Sequence, residues 1–170
     1  MKNRYLFAVL LMSVKLAAQT PEQNLEKLKI NLPKAGNPIA SYVNAVRSGN
    51  LVYLAGKGPQ KEDGVYIRGK LGDSITVQQG YEAARLTGIN QLSVLKELLG
   101  DLSKVKRIVK VTGFVNSTGS FYDQPKVING YSDLMIEVFG EKGKHARTAL
   151  SVNSLPLNMV VEVEMVVEVE

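Results

Sequence analysis

The stretch "GKHARTALSVNSLPLNMVVEVEMVVEVE", residues 143–170, closes the chain and carries the pattern that decides the fold. Toward its end the odd positions Met159, Val161, Val163, Met165, Val167 and Val169 are all apolar, while Val160, Glu162, Glu164, Val166, Glu168 and Glu170 fill the even ones. Side chains alternate faces along a strand, so the odd row is expected beneath a covering layer and the even row on the opposite face. An antiparallel sheet with one solvated face accounts for that alternation. Upstream, "ARTALSVNS" reads as a second strand, joined through "LPLN". A hairpin turning through Ser154 and Leu155 is expected to set Arg147 opposite Glu162, with Leu150 and Val152 in the core row and Arg147, Ala149 and Ser151 on the non-helical face. Two readings of the pair follow. A cross-strand ion pair on a wet surface contributes at most about 1 kcal/mol. In a pocket, the guanidinium grips a ligand carboxylate by its planar fork while the glutamate handles a proton or a water. Spacing alone leaves both open.

The remaining elements support an α+β layer. "SYVNAVRSGNLVYLAG" holds two short apolar runs, Tyr42 to Val46 and Leu51 to Ala55, around "RSGN", whose Gly and Asn suit a tight hairpin turn. "VYIRGK" reads as a third short strand after a polar loop. From Thr76 to Leu99 apolar residues recur at helical spacing, with Ser74 available as a cap and Gly100 as a stop. "SKVKRIVKVTGFVN" is expected as a strand with Val105, Val109, Val111 and Val115 on one face, and a second helix is expected from Gln124 to Phe139, ending at Gly140. Three strands, helix, strand, helix and two strands fit a mainly antiparallel sheet with two helices on one face.

One such domain suits 170 residues. Residues 1–19 combine basic Lys2 and Arg4, an apolar run from Tyr5 to Val14 and small residues at Ala17 and Ala18, the three-part plan of a secretory signal. The run is shorter than the roughly 20 residues of a membrane helix, which argues against a stable anchor and for an exported, periplasmic or secreted protein. Residues 20–37 then read as a lead-in with a short helix around Leu25, Leu28 and Ile30, and residues 38–170 as the domain. Loss of Lys2, Arg4 and Lys15 with the signal lowers the formal charge of +5 by three. The other lysines are scattered, so no nucleic-acid partner is expected. With no cysteine, disulfide and thiol chemistry are excluded.

The segments "SYVNAVRSGNLVYLAGKGP", "SKVKRIVKVTGFVN" and "HARTALSVNSLPLNMVVEVEMVVEV" together resemble the Rid (YjgF/YER057c/UK114) family over about residues 36 to 169. The most specific match is Ala146, Arg147, Leu155, Pro156 and the run Val161 to Glu164. The resemblance implies a chorismate-mutase-like subunit that forms homotrimers with pockets at subunit boundaries. It also implies hydrolysis of reactive enamines and imines, such as 2-aminoacrylate from amino-acid dehydratases, to 2-oxoacids and ammonia, without a metal or cofactor. On this resemblance Arg147 holds the substrate carboxylate and Glu162 positions or activates water. Tyr42, Gly56 and Asn129 line the same pocket. The chain departs from the family's Ser-Gly-Gln at the second strand, having Ala55-Gly56-Lys57, which removes a hydroxyl and adds a cation.

An imine carbon is already electrophilic, so fixing the carboxylate and orienting one water suffices for acceleration by proximity. His145, the single histidine, is either an acid or base or a loop residue beside a strand; with no cysteine it does not suggest a zinc site. The competing function is a non-catalytic module that binds small carboxylate metabolites at trimer interfaces. It needs Arg147 and tolerates loss of Glu162. A ribonuclease finds no histidine pair and no basic, aromatic platform here.

Overall fold

The computed structural model describes residues 19–36, 38 and 40–170. The expected signal therefore lies, apart from Gln19, outside the described residues. The named elements are helix α1 (Pro21–Lys27), strands β1 (Ala45–Ser48) and β2 (Leu51–Lys57), helix α2 (Val77–Leu99), strand β3 (Val105–Asn116), helix α3 (Gln124–Phe139), and strands β4 (Ala146–Val152) and β5 (Val161–Val169). The strands form one sheet in the order β1-β2-β5-β3-β4, antiparallel except for the parallel pair β3 and β4.

Local signals start and stop the helices. Thr76, rather than the expected Ser74, caps α2 in a reciprocal box with Gln79, and Gly100 closes it with a left-handed φ of 72°. Ser74 instead accepts a hydrogen bond from the Lys70 N–H at 3.3 Å. The same kind of box, Thr20 with Gln23, opens α1, whose Leu25 is buried in the common core. Helices α2 and α3 pack so closely that a Cβ on Gly130 would lie 2.0 Å from the Tyr81 carbonyl oxygen. They cover the sheet face made by Val52 and Leu54, Val111 and Val115, and the whole odd row of β5 from Val161 to Val169, all buried. The alternation of β5 thus does what its sequence predicts.

Three further sequence expectations fail for identifiable reasons. "VYIRGK" forms isolated bridges, Gln60 to Tyr66 and Arg68 to Met159, instead of a strand. In β3 a register shift between Ile108 and Lys110 puts Ile108 in the core, and Val109 is only half-buried. Most consequential, β4 and β5 are not a hairpin. Helix α3 returns the chain as a crossover, so β4 runs parallel to β3 and takes its outer edge. Strand β5 must then insert between β3 and β2, reached through Leu157 and Asn158, both with φ of 56°. Because Arg147 aligns with Val111 and Leu150 with Phe114, the parity of β4 is opposite to that expected: Arg147 and Ala149 face the helices, and Leu150 faces away.

Candidate functional site

Arg147 stands on the edge strand β4, on the side covered by α3. Its Nη1 donates to Asn129 Oδ1 at 2.8 Å and to Ser132 Oγ at 3.0 Å, acceptors one helical turn apart on α3. Both Nη1 hydrogens are thereby used. Among the described residues no carboxylate lies in ion-pair range of Arg147, and Nε and Nη2 make no hydrogen bond. That edge of the guanidinium is a two-donor fork of the spacing a carboxylate accepts. Behind it, Ser132 Oγ lies 3.0 Å from His145 Nε2, and His145 Nδ1 lies 2.7 Å from the Gly143 carbonyl oxygen. Burial foremost holds the imidazole below its ordinary pKa; the Gly143 contact opposes it, and the Arg147 charge adds a smaller lowering effect.

Glu162 projects from β5 on the opposite, open face, aligned with Phe114 of β3. It abuts Gly56: a Cβ at that position would lie 2.1 Å from Glu162 Oε1, so only glycine leaves the carboxylate where it is. Gly56 lies within a register shift of β2 between Leu54 and Lys57, and Gln91 of α2 donates its Nε2 to the Ala55 and Val163 carbonyls across that irregularity. Burial foremost, then Glu164, raises the Glu162 pKa above the usual carboxylate value. Burial foremost, then the fields of Tyr42 and Glu162, raises the Tyr66 pKa, so Tyr66 stands within electrostatic reach of both. Tyr42 is 46 % exposed just ahead of β1. Lys57 donates to Asn44 Oδ1 at 2.6 Å, and desolvation lowers its pKa; with Tyr66 and Asn90 it also lines a cleft of about 210 Å³.

The candidate residues therefore form two clusters. Asn129 joins Arg147, with Ser132 and His145; Gly56 and Tyr42 join Glu162, with Tyr66. Arg147 and Glu162 do not meet within one subunit. The pairing predicted from a hairpin is corrected by the register, because β3 separates their strands and their side chains leave opposite faces. Two strand spacings and a three-residue offset put their Cα atoms roughly 14 Å apart. Sequence reasoning missed Ser132 and Tyr66. Ser132 follows Asn129 by the three residues that share a helix face, a signal that was present; Tyr66 sits in a loop whose path no local pattern specifies.

An α+β subunit with three antiparallel pairings, one parallel edge and an unpaired arginine fork at that edge defines the class. The chain belongs to the YjgF family: residues 22–169 match the family described as "YjgF/chorismate mutase-like, putative endoribonuclease". Protein TCP17 of Trypanosoma cruzi is 45% identical over 146 residues, covering 85% of this chain and 91% of its own. A Dermatophagoides farinae protein named 2-iminobutanoate/2-iminopropanoate deaminase is 31% identical over 142 residues, covering 83% of this chain and 95% of its own. The crystal structure of Atu1372 from Agrobacterium tumefaciens, described as having unknown function, superposes with a TM-score of 0.83 at 40% identity over 88% of this chain and 92% of that one.

Proposed function

We propose that this protein hydrolyses reactive enamine and imine intermediates of amino acids, releasing 2-oxoacids and ammonia, at sites completed between subunits of a homotrimer. The observation that carries this reading is the Nε–Nη2 edge of Arg147, held in place through Nη1 and without a carboxylate of its own. A 2-imino acid carries the planar anion that fits this edge. Glu162 supplies what the arginine lacks. With a raised pKa it is poised to take a proton from water as the water oxygen bonds to the imine carbon. Glu162 passes that proton to nitrogen to give the carbinolamine; the hydroxyl proton then follows by the same route as the C–N bond breaks and C=O forms, so that imino acid and water become oxoacid and ammonia. The relative named as an iminobutanoate deaminase supports the reaction class.

Two clusters on opposite faces of one sheet cannot act on one small molecule, so a neighbouring subunit must bring its Glu162 cluster to this Arg147. The open face supports such association, since Val46 and Tyr53 lie aligned on it and are 55% and 48% exposed. The test is semicarbazide competition with imines generated by an L-amino-acid oxidase. Wild type lowers the semicarbazone yield, and Arg147→Ala and Glu162→Ala restore it. No lowering across several imino acids excludes the deaminase.

The separation of the clusters also supports a second reading, a non-catalytic carboxylate-binding module. In that case Arg147→Ala abolishes binding of a 2-oxoacid and Glu162→Ala leaves it intact. Export is proposed on the N-terminal pattern alone, and N-terminal sequencing of the protein from its native source tests removal of residues 1–19.

A further inference from the structure

The hydrogen bonds behind Arg147 have a direction that can be read from chemistry. A carbonyl only accepts, so at 2.7 Å from Gly143 O the His145 Nδ1 carries the ring proton. In the neutral ring Nε2 is then the acceptor, and Ser132 must point its O–H at it across 3.0 Å. That commits the hydroxyl hydrogen and leaves the Ser132 oxygen to accept from Arg147 Nη1, also at 3.0 Å. Asn129 Oδ1 takes the second Nη1 hydrogen. The donor order runs from arginine to serine to histidine, and from histidine back to the backbone.

We propose that Ser132 and His145 are positioning residues that fix the rotation of the Arg147 guanidinium, so that its Nε–Nη2 edge rather than its Nη1–Nη2 edge faces the ligand carboxylate. This rests on the reading of Arg147 as the carboxylate anchor. Without a committed acceptor at Ser132, Nη1 keeps only Asn129, which stands on the exposed side of α3, and the planar group turns about its long side chain. Burial of His145 supports the arrangement, because it keeps the imidazole neutral and Nε2 an acceptor; Arg147 acts in the same sense. Ser132 is buried, with 9% exposure, so water does not substitute freely for the histidine.

Four variants separate orientation from packing. His145→Phe keeps ring bulk and removes the acceptor, whereas His145→Gln offers an amide oxygen near the Nε2 position. Ser132→Ala removes the hydroxyl, and Ser132→Thr retains it. Two readouts are taken on the full chain: the dissociation constant for 2-oxobutanoate, used as the carboxylate probe, and the side-chain nitrogen resonances of Arg147 in the absence of any ligand, assigned by their loss in Arg147→Lys. We expect distinct, slowly exchanging Nη signals in wild type that merge in His145→Phe and Ser132→Ala and return in His145→Gln and Ser132→Thr. The dissociation constant should rise about tenfold in the first two, the loss of one charge-assisted contact. Unchanged Nη signals in both removal variants overturn the proposal, as does equal loss in the conservative ones. The resonance test needs no turnover, so a wild type inactive on imines but showing this pattern removes the deaminase reading and leaves the relay standing.

Discussion

Arg147→Lys keeps the charge of the anchor and removes its planar fork, so it separates charge attraction from two-point recognition. A lysine cannot hold Asn129 and Ser132 with one nitrogen while presenting two parallel donors with others. We expect kcat/KM for imine hydrolysis to fall about 100-fold, mostly through KM, measured by the semicarbazide assay. Glu162→Gln tests the other cluster. If Glu162 takes a proton from water, its variant loses at least about 100-fold in kcat, and the wild-type rate declines as pH drops through a value above the ordinary glutamate range. The same shift has a stability consequence. A carboxyl whose folded pKa exceeds its unfolded one favours folding when protonated, and that benefit is lost as pH rises from the unfolded to the folded value. Glu162→Gln should therefore be more stable than wild type near neutral pH, with the difference vanishing below the usual carboxylate range, as followed by urea denaturation at several pH values. A Gln variant no more stable at neutral pH argues that Glu162 is not desolvated in the assembled protein.

At the scale of elements, the α2 and α3 contact is held by what two glycines omit. Gly130 faces the backbone of α2, and an added Cβ would sit 2.0 Å from the Tyr81 carbonyl oxygen, which no side-chain rotation relieves. Gly88 of α2 faces Leu134 Cδ2 at 2.8 Å, a neighbour that can give way. Gly130→Ala is expected to destabilise the fold by about 1–3 kcal/mol in urea denaturation, while Gly119→Ala, whose Cβ meets nothing within 4 Å, should be near neutral. Equal effects would mean that the helices are not in backbone contact. Because α3 carries Asn129 and Ser132, its seating on α2 also sets the position of the arginine's acceptors. Helix boundaries, the Gly100 stop of α2 and the buried row of β5 were legible in sequence because each depends on neighbours within a turn or two, although the cap of α2 fell at Thr76 and not at the expected Ser74. The direction of β4 was not. "ARTALSV" alternates equally well as a hairpin partner of β5 or as a parallel edge of β3, and the choice between them lies in the handed crossover through α3.

For the whole molecule, the consequence of two clusters on opposite faces is that activity should belong to the assembly. Light scattering on a sizing column should return the mass of three chains, and Val46→Lys combined with Tyr53→Lys, which puts charge on the open face, should lower that mass and the activity together. A decisive version mixes Arg147→Ala and Glu162→Ala subunits, each inactive alone, after partial unfolding and refolding. If every site takes its arginine and its glutamate from different chains, about a quarter of the boundaries in a random mixed assembly recover both groups. Absence of recovered activity would show that both groups act from the same chain. The sequence by itself determined the α+β class, the helices, the buried face of β5 and the residue types of the site, because hydrophobic periodicity, capping and a motif of arginine and glutamate are local or nearly so. Only the tertiary structure decided that Arg147 faces the helices while Glu162 faces away, that Ser132 and His145 stand behind the arginine, and that Tyr66 joins the glutamate. Those facts depend on strand order and loop path, and in β4 both faces carry side chains similar enough that alternation alone does not choose between them.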